Sequence, residues 1–219
     1  MVDETFNMAF TLDYVHKFKK EGERLLMSGH HTNFDFSSFQ DVNTGYFLPG
    51  NGVPFRENKF QTFSSQGIKL YTGQIDYELP IGKGKLSAGA KYSNIVTSNA
   101  FKQYDLNGAT PQIDENRTSD FIYTEQVSAL YASYFSKIGE KISLNAGLRM
   151  ENTLSKGDLD SFKDINDDLV ERTYTNLFPS GGITYAMNKG NQFSVNYSRR
   201  IDRPNYQDLN PFPFLKNRN

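Results

Sequence analysis

Between Phe6 and Tyr14 every second residue is apolar: Phe6, Met8, Phe10, Leu12 and Tyr14 alternate with Asn7, Ala9, Thr11 and Asp13. A period of two is the geometry of an extended strand, whose successive side chains leave opposite faces of a sheet, and helical spacing does not fit it. The pattern recurs at Tyr71, Ile75, Tyr77 and Leu79 against Thr72, Gln74, Asp76 and Glu78, and at Leu86, Ala88, Ala90 and Tyr92 against Ser87, Gly89, Lys91 and Ser93. It is cleanest at Ile142, Leu144, Ala146, Leu148 and Met150 against Ser143, Asn145, Gly147, Arg149 and Glu151, and it returns at Phe193, Val195 and Tyr197. Residues 25–36, 121–135 and 177–187 are rich in strand formers without a clear phase, the last interrupted by Gly181-Gly182, and are read as three further strands. The expectation is an all-β, antiparallel chain of about eight strands in four hairpins.

The connections alternate in length. Short turns rich in glycine or charge are expected at residues 19–23, 80–84, 137–140 and 188–191, as tight hairpins require. Between them, residues 40–61, 98–120 and 155–172 read as long polar loops. A soluble β-sandwich alternates along its strands in the same way, with its apolar face turned to a shared core, so alternation alone leaves sandwich and barrel open. The regular short-long succession favours a transmembrane barrel, with short periplasmic turns and long extracellular loops, in which Phe6 starts near the outer surface. Composition agrees: 18 Phe and 13 Tyr accompany a mean hydropathy of only −0.61, so aromatic rings are plentiful where aliphatic residues are sparse. No run reaches the ~18 consecutive apolar residues of a membrane-crossing helix. Tyr14, Phe18, Tyr77, Tyr92 and Tyr134, near strand ends, fit interfacial girdles.

Charge and composition also exclude functions. With 24 Lys and Arg against 25 Asp and Glu there is no basic field for nucleic acid. The absence of cysteine removes disulfides, thiol nucleophiles and thiolate metal sites. Asp158, Asp160, Asp164, Asn166, Asp167 and Asp168 form an acidic cluster that invites a calcium reading, but Leu169 stands where the EF-hand turn needs Gly and Thr175 where it needs a bidentate Glu; the cluster reads as a solvated loop. His30 and His31 leave opposite faces of a strand and cannot share one metal, and His16 is remote. No nucleophile elbow, phosphate loop or zinc-protease helix occurs, so no enzyme, catalytic residue, metal site or cofactor is expected. Arg199-Arg200-Ile201-Asp202-Arg203-Pro204 reads as the outer end of a strand, with Arg200 turned to the lumen, and Pro204 unable to continue a ladder. Tyr46, Phe47, Phe55, Phe60, Phe101 and Tyr104 are loop aromatics able either to touch a ligand or to pack the loops, and no ligand-binding residue is assigned among them.

Three segments carry a resemblance. The first is Gln74-Ile75-Asp76-Tyr77-Glu78-Leu79-Pro80 followed by residues 84–93; the second runs from Tyr123-Thr124-Glu125-Gln126 to Ala146-Gly147-Leu148-Arg149-Met150-Glu151-Asn152-Thr153. The third and most specific joins Asn176-Leu177-Phe178-Pro179-Ser180, Tyr197-Ser198-Arg199-Arg200-Ile201-Asp202-Arg203-Pro204 and Leu209-Asn210-Pro211-Phe212. Together they resemble the outer-membrane β-barrel family of TonB-dependent receptors over roughly residues 71–212. The resemblance implies a Gram-negative outer-membrane location, a barrel of about 22 strands around an N-terminal plug, and uptake of a nutrient ligand. It also implies partners: outer-membrane lipid, the remainder of the barrel and its plug, an energising TonB-type complex, and an extracellular nutrient or a surface lipoprotein.

Against that pattern, residues 1–219 show neither a plug segment nor an export signal, and end at Lys216-Asn217-Arg218-Asn219 without a terminal aromatic strand. They read as one portion of a single barrel domain. A closed eight-stranded barrel must fill its interior with side chains, whereas the polar face here is largely Ser, Asn, Gly, Ala and Thr and suits a wider, watered lumen. Two unpaired edges would make the segment aggregation-prone alone. A plug-less outer-membrane scaffold or adhesin and a soluble β-sandwich binding module are the alternatives.

Overall fold

The computed structural model describes residues 1–50, 52–161, 169–188 and 190–201. They form one antiparallel sheet: β1 (Val2–Lys17), β2 (Arg24–Tyr46), β3 (Arg56–Ile81), β4 (Gly84–Asp105), β5 (Gln112–Ile113), β6 (Ser119–Ile138), β7 (Ile142–Ser161), β8 (Leu169–Asn188) and β9 (Asn191–Ser198). The strands pair in chain order, except that the two-residue β5 folds back on β4 alone, so β4 meets β6 directly. Eight long strands in four hairpins match the expected architecture, and β2, β6 and β8 occupy the three segments whose phase was unclear. No second sheet packs on this one among the described residues, so there is no sandwich core. The outer strands β1 and β9 are not paired with each other, and the sheet is open.

Alternation determines the two faces, and register carries each face across the sheet. Tyr14, Met27, Ile75, Ala90, Leu130, Met150 and Leu177 lie in one cross-strand row, and Leu86, Tyr134, Ala146, Gly181 and Tyr197 in another. These outward residues remain open: Leu130 is 58% exposed, Leu148 52% and Ile183 53%. The opposite face holds the buried residues, among them Thr97, Phe121, Ala129 and Thr153. That asymmetry is what a sheet curled towards its polar face produces. An apolar convex face exposed over a continuous band has lipid, not water, as its compatible solvent.

The long loops are shorter than the sequence suggests. β2 and β3 stay in register to Tyr46 and Arg56, leaving residues 47–55; β4 reaches Asp105 and β6 starts at Ser119; β7 reaches Ser161 and β8 starts at Leu169. At ~3.3 Å per residue β3, 26 residues long, extends ~86 Å, whereas ~9–11 tilted residues cross the hydrocarbon layer. The ladders therefore continue well above the membrane. There both faces meet polar surroundings, so the chain keeps its strand hydrogen bonds but loses the apolar alternation by which a strand is recognised. The short turns stand close to where expected: Gly22, Gly82 and Gly139 supply positive φ at three of them. Pro80 and Ile81 lie in β3 and Ile138 in β6, which tightens those two turns.

Candidate functional site

The polar face divides into two zones along the strands. In the lower zone, level with the apolar band, charged side chains form a connected network. The Tyr131 hydroxyl donates to Asp76 Oδ1 at 2.6 Å, and Gln74 Nε2 donates to Asp76 Oδ2 at 2.7 Å. The Arg149 guanidinium lies 5.1 Å from the Tyr131 ring centroid, and its Nε donates to Glu151 Oε1 at 2.5 Å. Nearer the turns, Arg24 Nε contacts Glu78 Oε2 at 2.6 Å and Lys85 Nζ reaches the same oxygen at 3.3 Å. Tyr131 is on β6 and Asp76 on β3, so the hydrogen bond spans β4, which lies between them. Gly89 of β4 makes this crossing feasible: a Cβ there would stand 2.6 Å from Asp76 Oδ1 and 2.7 Å from Tyr131 Cε2. Gly182 does the same on β8, where an added Cβ would collide with the Asn145 and Asn196 carboxamides. Gly89, read as a regular member of the polar face, and Gly182, read as part of an interruption, are both notches that let polar side chains meet across a strand.

In the upper zone the inward positions change character. On β2 they are Thr32, Phe34, Phe36, Ser38 and Gln40; on β3, Phe60, Thr62, Ser64, Gln66, Ile68 and Leu70. On β4 they are Ser93, Ile95, Thr97, Asn99, Phe101 and Gln103, and on β6, Ser119, Phe121, Tyr123, Glu125 and Val127. Glu125, at the lower boundary, accepts from the Tyr123 hydroxyl at 3.0 Å; Asp105, opposite Phe60, and Arg56, opposite Tyr46, face the same side higher up, and Asp3 of β1 accepts from Ser38 Oγ at 2.6 Å. The outward residue Leu130 marks the apolar band on β6, and Tyr123 stands ~23 Å further along the strand, above the membrane. Burial, with the Glu125 carboxylate beside it, pushes the Tyr123 phenol up to about 12, so at neutral pH it remains a donor. On the same four strands at the same height the outward face carries Asp35, Asp41, Lys59, Lys69, Lys102 and Asp120.

The residues singled out in the sequence fall as follows. His30 and His31 do leave opposite faces: His30 Nδ1 is 2.9 Å from Thr11 Oγ1 on the polar side, while His31 stacks on Tyr71 with centroids 4.3 Å apart on the apolar side. Tyr14, Tyr77, Tyr92 and Tyr134 are outward, and Phe18 meets Tyr77 edge-on at 6.0 Å. Asp158 and Asp160 belong to strand β7, opposite Ile122 and Asp120, and not to a loop; Asp164, Asn166, Asp167 and Asp168 lie outside the described residues. Among the described residues no three His, Asp or Glu side chains converge as metal ligands. Of the aromatics assigned to loops, Tyr46, Phe60, Phe101 and Tyr104 are strand residues: Phe60 and Phe101 face inward, and Tyr104 packs against Phe63 outward with centroids 5.9 Å apart. Phe47 and Phe55 remain in a connection, where Phe55 lies 6.4 Å from the Tyr46 ring. Arg199 and Arg200 follow the end of β9, where the Arg199 amide still donates to Pro179 O at 3.1 Å; residues 202–219 lie outside the described residues.

A cavity of about 940 Å³ between Leu12, Met27, Gly73, Tyr92 and Leu130 lies on the apolar face. It is a gap between outward side chains and faces lipid, away from the polar wall.

The model of the outer membrane protein β-barrel family matches residues 16–219. No curated protein matches the sequence. Among solved structures, the chain aligns with the ferric citrate transporter FecA in its unliganded form at a TM-score of 0.57 and 13% identity, over 89% of this chain and 27% of that one. It aligns with the siderophore receptor PiuA from Acinetobacter baumannii at 0.60 and 15%, over 90% and 32%. With the copper transporter OprC the values are 0.60 and 11%, over 88% and 30%. The chain thus spans about a third of the length of these structures, and at such identities the likeness is one of fold.

Proposed function

The chain belongs to the outer membrane protein β-barrel family and lies in the outer membrane, and from that premise we propose that it is the barrel portion of a TonB-dependent receptor that takes up a nutrient ligand. The observation that carries this reading is the open sheet itself. Its curled polar face aligns over about nine-tenths of its length with barrels of transport receptors, and two unpaired outer strands need further strands to close them. In this reading residues 1–219 are one part of a single barrel domain. Other sequence supplies the remaining strands and a plug, and an energising TonB-type complex acts on that plug. The lower network stiffens the wall where it is surrounded by lipid, the upper zone meets the ligand first, and no chemical step is catalysed.

The test is accumulation of labelled nutrients by intact cells with and without the gene, before and after collapse of the proton gradient. A receptor gives uptake that requires both the gene and the gradient. Uptake indifferent to both would leave a plug-less scaffold or adhesin as the better reading.

A further inference from the structure

We propose that the outward wall seats one lipopolysaccharide molecule of the outer leaflet: an apolar well takes an acyl chain, and Lys69 above it takes a phosphate. This goes beyond the receptor reading and does not depend on it. The well is floored by Gly29 of β2 and Gly73 of β3, which are direct partners in the ladder. Leu12 flanks it on β1 and Tyr92 on β4. Met27 and Ile75 stand one row below, and His31 and Tyr71 one row above. It belongs to the cavity of about 940 Å³ on the apolar face. Neither glycine is explained by the protein itself. Neither has a positive φ, and a Cβ added to either would meet nothing within 4 Å. Gly89 and Gly182 differ, since a Cβ there would strike atoms of neighbouring strands. Two paired glycines weaken a sheet, and the space they leave is filled only from outside the chain. On this face that filler is hydrocarbon, whose dispersion contacts the bare lining otherwise lacks.

Height and charge select the lipid. On β3 the outward positions from Ile81 to Tyr71 carry no charge, and Lys69 is the first that does. At ~3.3 Å per residue and ~45° of tilt that stretch rises ~23 Å, close to the ~25 Å height of a barrel's apolar band. With the short turns in the periplasm, the well opens in the outer half of the hydrocarbon and Lys69 stands among the outer headgroups. Lys69 is exposed and has no ion-pair partner among the described residues, whereas Lys156, in the same row, pairs with Glu171 at 3.8 Å. Asp35 lies one row higher, where Asn33 Nδ2 donates to it at 2.8 Å. The stack of His31 on Tyr71 forms the rim between well and cation. His31 Nδ1 is 3.1 Å from Leu70 O, which can only accept, so the ring donates there and turns Nε2 to the rim as an acceptor. Apolar floor, polar rim and unpaired cation follow one another in the order of an acyl chain, its polar linkage and a phosphate.

The experiment uses the full-length protein purified from outer membranes in mild detergent and three probes: lipopolysaccharide, phosphatidylethanolamine, and inorganic phosphate as competitor. Lipid retained per protein after washing is measured by mass spectrometry. The expected result is retention of lipopolysaccharide in preference to phosphatidylethanolamine, undisturbed by inorganic phosphate. Gly73→Leu, which fills the well, should weaken retention about tenfold, and Lys69→Gln about threefold. Gly181→Leu, on the same face of β8, leaves it unaltered. Heat-resistant migration on gels verifies each fold, and Gly29→Val replaces Gly73→Leu if the latter fails that check. Undiminished retention with the well filled, equal retention of phosphatidylethanolamine, or displacement by inorganic phosphate would each overturn the seat. The receptor reading is judged separately, by gradient-dependent accumulation in cells, so the two can fail independently.

Discussion

Within the membrane and above it, the same strands wear opposite chemistry. In the band, outward residues such as Leu130, Leu148 and Ile183 are apolar, and inward ones such as Asp76, Arg149 and Glu151 are charged. Above it the outward positions carry Asp35, Lys69 and Lys102, and the inward ones are largely aromatic, amide and hydroxyl, with Asp3, Arg56, Asp105 and Glu125 among them. The reversal teaches that neither face has a fixed character. The outward face answers first to hydrocarbon and then to water. The inward face answers first to structural demand, where a polar network holds neighbouring strands, and above the band to mixed packing of rings, amides and hydroxyls.

The largest effect expected from breaking this contrast is a charge in the band. Leu130→Arg should cost ~2–4 kcal/mol, while Ile122→Arg, on the same face of the same strand but above the band, should cost ~0–1 kcal/mol. Urea unfolding of the full-length protein in liposomes measures both, and equal costs would mean that the band does not end where the apolar residues do.

A smaller effect follows from closing the notch between β3 and β6. Gly89→Ala forces Tyr131 away from Asp76, leaving a partly buried carboxylate short of a donor, at a cost of ~1–2 kcal/mol by the same assay. The double variant Gly89→Ala with Tyr131→Phe should cost less than the sum of the two single changes, because the Asp76 hydrogen bond is lost only once while Ile75 O and the ring still crowd the new Cβ; strict additivity would show that the two positions do not share the contact. Smallest is the outward pair Lys156 and Glu171, 3.8 Å apart and exposed. Lys156→Ala should change stability by less than ~0.5 kcal/mol, and that change should vanish in high salt.

Period-two alternation made β1, β3, β4, β7 and β9 legible, because within the hydrocarbon layer one face must be apolar and the other need not be. The same argument failed above the membrane. Residues 40–46, 98–105 and 155–161 read as loop, yet they are strand, since Thr, Ser, Gln and Asn can satisfy a ladder without announcing it through hydropathy. The acidic run was misjudged for the same reason: Asp158 and Asp160 are ordinary outward strand residues. Of the polar wall, only the bare expectation of a polar face was available. Gly181-Gly182 looked like an interruption and Gly89 like any small residue of the polar face, because the side chains that need the space, such as Asp76 and Tyr131 across Gly89, are 55 residues apart in the chain.

By itself the sequence determined the strand count, the direction of the hairpins and the identity of the lipid face, all of which depend on local spacing and on turn chemistry. The tertiary structure decided the register, and with it which side chains share a row. Alternation assigns a residue to a face, but only the ladder of hydrogen bonds between strands determines its height on that face. The network joining Asp76 to Glu151 and the well floored by Gly29 and Gly73 exist only once those heights are fixed.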